Sequence, residues 1–204
     1  MVHNSGHTFV SHSQGLTRAT PATGAATHQA LDISEPVSRP TSQLQWVLAT
    51  AGTGADARLC LTNATAPVPN IVQLPIPGPA GTRPLPPRTT LSLGKRYAFI
   101  VQQSASSETS APEQLIVVLL DPNKDKDFSD ARIHRTIDLG TKAALTTADR
   151  DICFDAYGRH AVISSPSDGI LTVLSLAKMN IVARFKVGGA PGRLVSVGAA
   201  EHFH

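Results

Sequence analysis

The segment from Arg159 to Gly189 reads RHAVISSPSDGILTVLSLAKMNIVARFKVGG, which is three short apolar runs separated by turn signals. Ser-Asp-Gly and Ala-Lys-Met-Asn lie between the runs, and a double glycine ends the segment. Short apolar runs bounded by such residues predict antiparallel strands joined in succession. The preceding stretch DRDICFDAYG supplies a fourth strand. The sequence therefore predicts a four-stranded antiparallel unit of about 40 residues, which has to be looked for elsewhere in the chain.

The unit recurs in weaker form along the whole chain. The same four strands are predicted by three segments, of which the first contains two strands: TTLSLGKRYAFIVQQS, EQLIVVLLDPN and ARIHRTIDLG. Earlier, LQWVLATAG, DARLCLTNAT and PNIVQLPIPG predict three strands, and GHTFVSHSQG and THQALDIS predict two. Repeated four-stranded units of this size are typical of β-propellers, in which each unit is one blade. We therefore expect an all-β fold, a β-propeller of four-stranded antiparallel blades with about 3.5 to 4 blades in this chain.

The repeats suggest one domain. We expect a single β-propeller domain, or a propeller fragment, over residues 1–204, with approximate units at 7–38, 39–83, 84–140 and 141–190 and the start of a further unit at 191–204. Aligned on their second strands, the units place five positions in register: His7, the region of Gln45, Tyr97, His160 and His202. The chain is thus expected to begin at about a second strand.

One stretch carries a family resemblance. DRDICFDAYGRHAVISSPSDGILTVLSLAKMNIVARFKVGGAPGRLVSV, residues 149–197, resembles the YVTN-type β-propeller repeat. In that family an Asp-Gly turn precedes an apolar strand, and a basic residue followed by Val-Gly-Gly-x-Pro closes the unit. The residues that carry the match are Asp168, Gly169, Val173, Leu176, Val187, Gly188, Gly189 and Pro191. Ser175 departs from the family, since an aspartate is usual there, whereas Asp138 in TIDLG retains it.

The resemblance implies a ring of about seven blades, more than this chain supplies. The chain is a piece of a longer protein, or two chains pair into one ring, or four units close alone. A blade buries its faces only against neighbouring blades, and an uncovered terminal blade exposes an apolar face. We therefore favour a partial ring that a larger parent chain completes, or half of a homodimeric ring.

Histidine is unevenly distributed. His3, His7 and His12 lie near the start, and His202 and His204 end the sequence. Because the first and last strands of a propeller meet, these imidazoles are candidates for a shared site, and imidazole is a ligand for zinc and copper. The alternative is that they lie in solvated chain ends.

His160 extends this hypothesis. It shares its place in the repeat with His7 and His202, so a rim of imidazoles that binds a metal or an anion is one interpretation. The alternative is that a polar residue simply begins each second strand, since Tyr97 and Gln45 occupy the other units.

Composition and charge argue against several classes of protein, among them nucleic-acid-binding and membrane-spanning proteins. A net charge of +3 without a Lys/Arg cluster argues against a nucleic-acid partner. No run approaches the ~20 apolar residues of a membrane span. The first residues, MVHNSGHTFVSHSQG, have no signal-peptide pattern, so we expect a cytoplasmic chain as written or an exported one whose signal was removed. Cys60 and Cys153 fit no metal spacing and are predicted to be buried free thiols.

No constellation of catalytic residues can be assigned, so the expectation leans against an enzyme. DPNKDKDFSD, residues 121–130, has calcium-like spacing but lacks the glycine and the final glutamate, which predicts a solvated loop. The main hypothesis is a non-catalytic binding module that presents loops and a central funnel to a protein or small-molecule ligand. Zinc or copper handling is the alternative. The family resemblance also implies a third, part of a propeller oxidoreductase or haem- or quinone-associated protein.

Overall fold

The computed structural model describes residues 1–21, 26–31, 33, 35–105, 111–141 and 148–196. Within these ranges the regular secondary structure is β-strand, apart from one short 3-10 turn at Gly54–Asp56. In the described residues, no helix has the length and apolar character needed to cross a membrane. The predicted all-β class is confirmed.

Four antiparallel sheets follow one another along the chain. Sheet 1 contains β1 (Thr8–His12), β2 (Gly15–Pro21) and β3 (Ala26–Leu31). Sheet 2 contains β4 (Thr41–Gln43), β5 (Trp46–Ala51), β6 (Arg58–Asn63) and β7 (Ile71–Pro75).

The later sheets are built in the same order. Sheet 3 contains β8 (Thr82–Pro84), β9 (Arg88–Ser92), β10 (Lys95–Ser104), β11 (Pro112–Leu119) and β12 (Arg132–Thr141), with β8 and β9 both paired to β10. Sheet 4 contains β13 (Ile152–Phe154), β14 (His160–Ser165), β15 (Ile170–Ser175) and β16 (Asn180–Lys186). All four strands predicted for sheet 4 are confirmed.

Successive sheets pack face to face through three apolar clusters. Phe9 and Leu16 of sheet 1 belong to one cluster with Val47 of sheet 2. The clusters that join sheet 2 to sheet 3 and sheet 3 to sheet 4 are larger. Their fully buried members include Leu48, Leu59, Ile100 and Ile116 in the former, and Phe99, Leu115, Val117 and Ile163 in the latter. Sheets 2 and 3 are thus covered on both faces.

The array has two open ends. Over the described ranges, no strand of sheet 1 pairs with sheet 4, and no apolar cluster contains residues of both. Val10 of sheet 1 is 48% exposed and Phe185 of sheet 4 is 55% exposed. Closure of four units on themselves, one of the arrangements weighed above, is therefore not what these residues form.

Backbone hydrogen bonds mark equivalent positions in sheets 2, 3 and 4. In each, the residue after the third strand donates its N–H to a carbonyl just before or at the start of the second strand: Ala64 to Gln45 (2.7 Å), Leu120 to Arg96 (2.9 Å) and Leu176 to Arg159 (2.8 Å). The residues that follow these carbonyls are Trp46, Tyr97 and His160. Trp46, not Gln45, is therefore the equivalent of Tyr97 and His160.

The first residues of the chain reproduce a turn of sheet 4. His3 donates its N–H to the His7 carbonyl (2.9 Å), as Asp155 does to His160 (3.0 Å). Val2 forms an antiparallel bridge with Thr8, so it lies beside β1 where β13 lies beside β14. β1 therefore corresponds to a second strand, as the alignment of the repeats predicts.

Candidate functional site

The first strands of sheets 2, 3 and 4 converge on one open cavity of about 640 Å³. In sheet 3 the first strand is divided into β8 and β9, which both pair with β10, and β9 is the part that borders the cavity. β9 contacts both β4 and β13. The cavity walls come from residues 39–42, 85–88, 148–152 and 192–193, together with Met1 and Val101. Since each of these segments precedes or begins the first strand of a sheet, or follows sheet 4, we call this cavity the first-strand pocket.

Arginine recurs in the wall of the first-strand pocket. Arg39 and Arg150 each lie two residues before a first strand, and Arg88 begins one. Arg193 follows sheet 4 and lines the same cavity. Asp149 and Asp151 are the two carboxylates of the described wall. The wall therefore carries an excess of positive charge, which the sequence motifs did not indicate.

A buried ion pair fixes one of these arginines. Arg150 and Glu113 have side chains 3% and 0% exposed, and they meet at 2.5 Å between Nη2 and Oε2. The second oxygen of Glu113 accepts the Ser104 N–H at 3.0 Å, and Gln103 accepts the Arg150 N–H at 2.8 Å. This network joins sheet 3 to sheet 4 behind the pocket. Breaking a buried pair by removing one partner leaves an uncompensated charge.

Both pocket carboxylates already have cationic partners. Asp149 accepts a hydrogen bond from Arg83 at 2.5 Å. Asp151 accepts one from Arg88 at 2.7 Å, and its other oxygen accepts the Leu194 N–H at 3.0 Å. The Leu194 contact holds the segment that carries Arg193 against the pocket.

The other two arginines of the wall differ from Arg88 and Arg150. Arg39 and Arg193 are exposed, and neither has an ion pair or side-chain hydrogen bond within the part of the chain that the structure describes. Both guanidinium groups are therefore available to a ligand.

Two of the predicted metal-ligand histidines are already hydrogen-bonded through both ring nitrogens. His3 Nδ1 lies 2.9 Å from Ser5 Oγ, and Nε2 lies 2.8 Å from the Leu44 carbonyl oxygen. His12 Nε2 lies 2.9 Å from Thr17 Oγ1, and its Nδ1 accepts the Gln14 N–H. A metal ion would have to displace one of these partners to bind either ring.

His7 is different. Its Nδ1 lies 3.0 Å from Thr20 Oγ1. Partial burial, followed by the nearby Arg18 and His3, lowers the pKa of His7 below its usual value. The imidazole is therefore neutral at neutral pH, which is the form that ligates metal ions.

The positions equivalent to His160 in sheets 2 and 3 hold no histidine. The His160 side chain is 46% exposed and lies 3.1 Å from Asp155 Oδ2. The equivalent positions hold Trp46 and Tyr97, each 5% exposed in the core. His202 and His204 lie outside the described residues. In the ranges that are described, no group of three or more His, Cys, Asp or Glu could hold a metal ion.

The acidic loop at residues 121–130 is more than a solvated loop. The Lys126 carbonyl accepts hydrogen bonds from Gln45 Nε2 (2.9 Å) and Trp46 Nε1 (3.0 Å). Phe128 is fully buried and stacks on Trp46 with ring centroids 5.5 Å apart. The loop therefore straps sheet 3 onto sheet 2, a contact that the interleaved Lys and Asp residues conceal in the sequence.

The two cysteines are free, as predicted, but only Cys60 is buried as expected. Cys60 is buried between sheets 1 and 2, and burial raises its pKa to about 11. Cys153 is half-buried in β13, and burial, followed by the charge of Asp151, raises its pKa as well.

No protein-family model matches the chain, and no curated protein matches it either. Twelve chains of solved structures do match. One is the crystal structure of Citrobacter koseri AztD, with TM-score 0.48 and 16% identity over 91% of this chain and 46% of that one. Apo AztD from the same bacterium has TM-score 0.46 and 16% identity over 90% and 47%. This chain spans about half the length of either structure, and the likeness is distant.

Proposed function

We propose that this chain is a non-catalytic β-propeller binding module whose ligand occupies the first-strand pocket. The observation that carries the proposal is the convergence of β4, β9 and β13 on one cavity, since the first strands of propeller blades line a central channel. A volume of about 640 Å³ lies within the range of small-molecule sites. The described wall contains neither histidine nor cysteine, and its two carboxylates, Asp149 and Asp151, are each paired with an arginine.

Sheet 4 supports the part of the proposal that concerns a larger ring. The hydrogen-bond equivalence and strand register place Leu59, Leu115 and Leu171 at one repeated position, and Leu61, Val117 and Val173 at another. In sheets 2 and 3 these residues are fully buried by the next sheet, whereas Leu171 and Val173 are only half-buried. Sheet 4 thus retains apolar residues where a further sheet would pack.

A second copy of the chain is the occupant we propose for this face. The open face of sheet 4 has large side chains, among them Leu171 and Phe185, while that of sheet 1 has the smaller Thr8, Thr17 and Ala19. Sheet 1 of each copy would cover sheet 4 of the other, so that two half rings form one. Faces that match large to small side chains pack without voids.

Native mass spectrometry and light scattering test the dimer. The wild type is expected to be a dimer that Phe185→Asp converts to monomer. Val68→Asp, at a 74% exposed position away from this face, is the matched control and is expected to remain dimeric. A wild type that stays monomeric at high concentration contradicts the second copy and leaves a longer parent chain as the source of the covering sheet.

The binding function is tested by filling the pocket. Ser42 lines the cavity and is exposed, so Ser42→Phe narrows the pocket without disturbing a core. We expect ligands that co-purify with the wild type, or that stabilise it in a thermal-shift panel, to lose binding in this variant. Ser13→Phe, in the exposed turn between β1 and β2, is the control. If ligands bind both variants equally, the pocket is not the ligand site.

Zinc or copper handling is the second candidate, favoured by the neutral imidazole of His7 near the start of the chain. We propose that His7 acts with the terminal pair His202 and His204, while His3 and His12 contribute only if their present hydrogen bonds open. Elemental analysis of the purified protein is expected to find bound metal that is lost on combining His202→Ala with His204→Ala and on His7→Ala. His134→Ala, on exposed β12, is the control. Metal retained by all variants excludes this site.

A further inference from the structure

We infer that the first-strand pocket recognises a small organic molecule through a negatively charged oxygen group, carboxylate or phosphate, bound by Arg39 and Arg193. The inference rests on the proposed binding function, because it names the chemistry of that same pocket. It derives from the charges of the wall and from which of them are already paired.

The two acidic residues of the wall are neutralised by the protein itself. Asp149 pairs with Arg83 and Asp151 pairs with Arg88. Behind the wall, Glu113 neutralises Arg150. After this internal pairing, Arg39 and Arg193 are the guanidinium groups of the described wall that remain without an anionic partner. An anionic ligand complements this surplus, whereas a cation is repelled.

Both arginines lie on restrained backbone. Pro40 follows Arg39, and its ring restricts the backbone there. The hydrogen bond from the Leu194 N–H to Asp151 fixes the residue next to Arg193. A guanidinium donates two parallel hydrogen bonds to a carboxylate or phosphate, so each of these groups suits an oxyanion ligand.

The other residues of the wall indicate what the part of the ligand beyond its anionic group is like. Leu85, Val101 and Ile152 contribute apolar surface to the wall, and the Thr41 and Ser42 hydroxyls are further hydrogen-bond donors. A bare inorganic anion would leave most of a cavity of about 640 Å³ to water. We therefore expect a small organic acid or phosphate ester whose carbon skeleton lies on the apolar part.

Titration calorimetry with succinate and with inorganic phosphate at low ionic strength tests the inference. Combining Arg39→Gln with Arg193→Gln is expected to weaken binding of the preferred probe at least tenfold, about the effect of losing one charge-assisted hydrogen bond. The matched control combines Arg135→Gln with Arg184→Gln, which removes the same charge from exposed positions on β12 and β16, outside the pocket. It is expected to bind within about twofold of the wild type, since distant surface charges are screened. Stronger binding of succinate assigns a carboxylate ligand, and stronger binding of phosphate assigns a phosphate ester.

Three outcomes overturn the inference. One is that neither probe binds the wild type at concentrations up to about 10 mM, which is weaker than the millimolar range of small-ligand binding. Another is an equal loss in the pocket variant and the control, which reduces the effect to net charge. A neutral ligand that Ser42→Phe abolishes and the arginine variants leave unchanged would overturn the anion chemistry while retaining the binding function. If Ser42→Phe binds every ligand as well as the wild type does, the binding function is overturned instead.

Discussion

Sheets 3 and 4 carry apolar residues at the same repeated positions, yet they differ in what covers them. In sheet 3, β10 is buried without interruption from Tyr97 to Ser104, because sheets 2 and 4 pack on its two faces. In sheet 4, β15 alternates between buried and half-buried residues, and β16 is largely exposed. The alternation is produced by a missing neighbour and not by a polar sequence. Partly exposed apolar side chains at positions that are buried in sheets 2 and 3 thus indicate where a further sheet would pack.

The junction that joins the two sheets is expected to give the largest effect. Arg150→Ala leaves Glu113 buried and unpaired, which costs about 3–5 kcal/mol of unfolding free energy. The matched control is Arg83→Ala, because that ion pair is 39% and 49% exposed and its loss costs at most about 1 kcal/mol. Urea unfolding measures both. Equal costs would show that the buried pair is not what holds sheet 4 to sheet 3. Replacing both partners, with Arg150→Met and Glu113→Leu, is expected to recover most of the loss.

The same substitution at equivalent positions compares the two sheets directly. Leu115→Ala removes a fully buried side chain and is expected to cost about 2–5 kcal/mol. Leu171→Ala removes a half-buried one and should cost less than about 1.5 kcal/mol in dilute monomer, where less apolar area is withdrawn from water. If a second copy covers sheet 4, the cost of Leu171→Ala rises with protein concentration. A large cost that is independent of concentration would contradict the open face.

Thiol labelling compares a buried cysteine with one on the open face of sheet 4 and requires no substitution in the core. Cys60 is 3% exposed with a pKa of about 11, so a thiol reagent at pH 8 should barely modify it in the folded protein. Cys153 lies on the open side of sheet 4, paired with Val162, and is expected to react at least about tenfold faster. Protection of Cys153 that disappears in Phe185→Asp would indicate that dimerisation covers it. Labelling of Cys60 faster than that of Cys153 would mean that sheets 1 and 2 separate readily and expose this buried thiol.

The smallest effect is expected at the other end of the array. The pKa of His7 is lower in the folded chain than its usual value of 6.5, so the unfolded chain binds more protons. Its contribution to stability is present above pH 6.5 and is lost as the pH falls from 6.5 through the folded pKa. We expect a decrease in Tm on the order of 1 °C between pH 7.5 and pH 5.5 that His7→Gln removes. The same decrease in His7→Gln would assign the pH dependence to other groups.

Strand patterns were predictable where a sheet is regular. The four strands of sheet 4 follow directly from apolar runs between turn residues, and Gly169 at the Asp-Gly turn has a φ of +63°, a conformation that favours glycine. β4 and β8 have three residues each without a large aliphatic or aromatic side chain and were missed, whereas the equally short β13 contains Ile152 and Phe154. β2 was missed because GLTRATP contains one large apolar residue, Leu16, which alone contributes to the core.

The candidate site was less predictable than the strands. Arg39, Arg88, Arg150 and Arg193 are separated by 40 residues or more, and only the repeat register brings them to one cavity. A search for a recurring basic residue before each first strand is the signal that could have identified them. The Glu113–Arg150 pair has no local signature, because its partners belong to different sheets. The proposed ligation by His3, His7, His12, His202 and His204 remains a prediction.

The strap formed by residues 121–130 gives the molecule a built-in optical probe. Trp46 is the single tryptophan of the sequence, it is 5% exposed, and both its ring and its N–H contact this loop. Its fluorescence therefore reports on the junction of sheets 2 and 3 and does not report on the other sheets. In an array whose sheets contact only their neighbours, emission and circular dichroism need not change together. The difference between the unfolding midpoints followed by fluorescence and by circular dichroism would measure how strongly the unfolding of one sheet is coupled to that of the next.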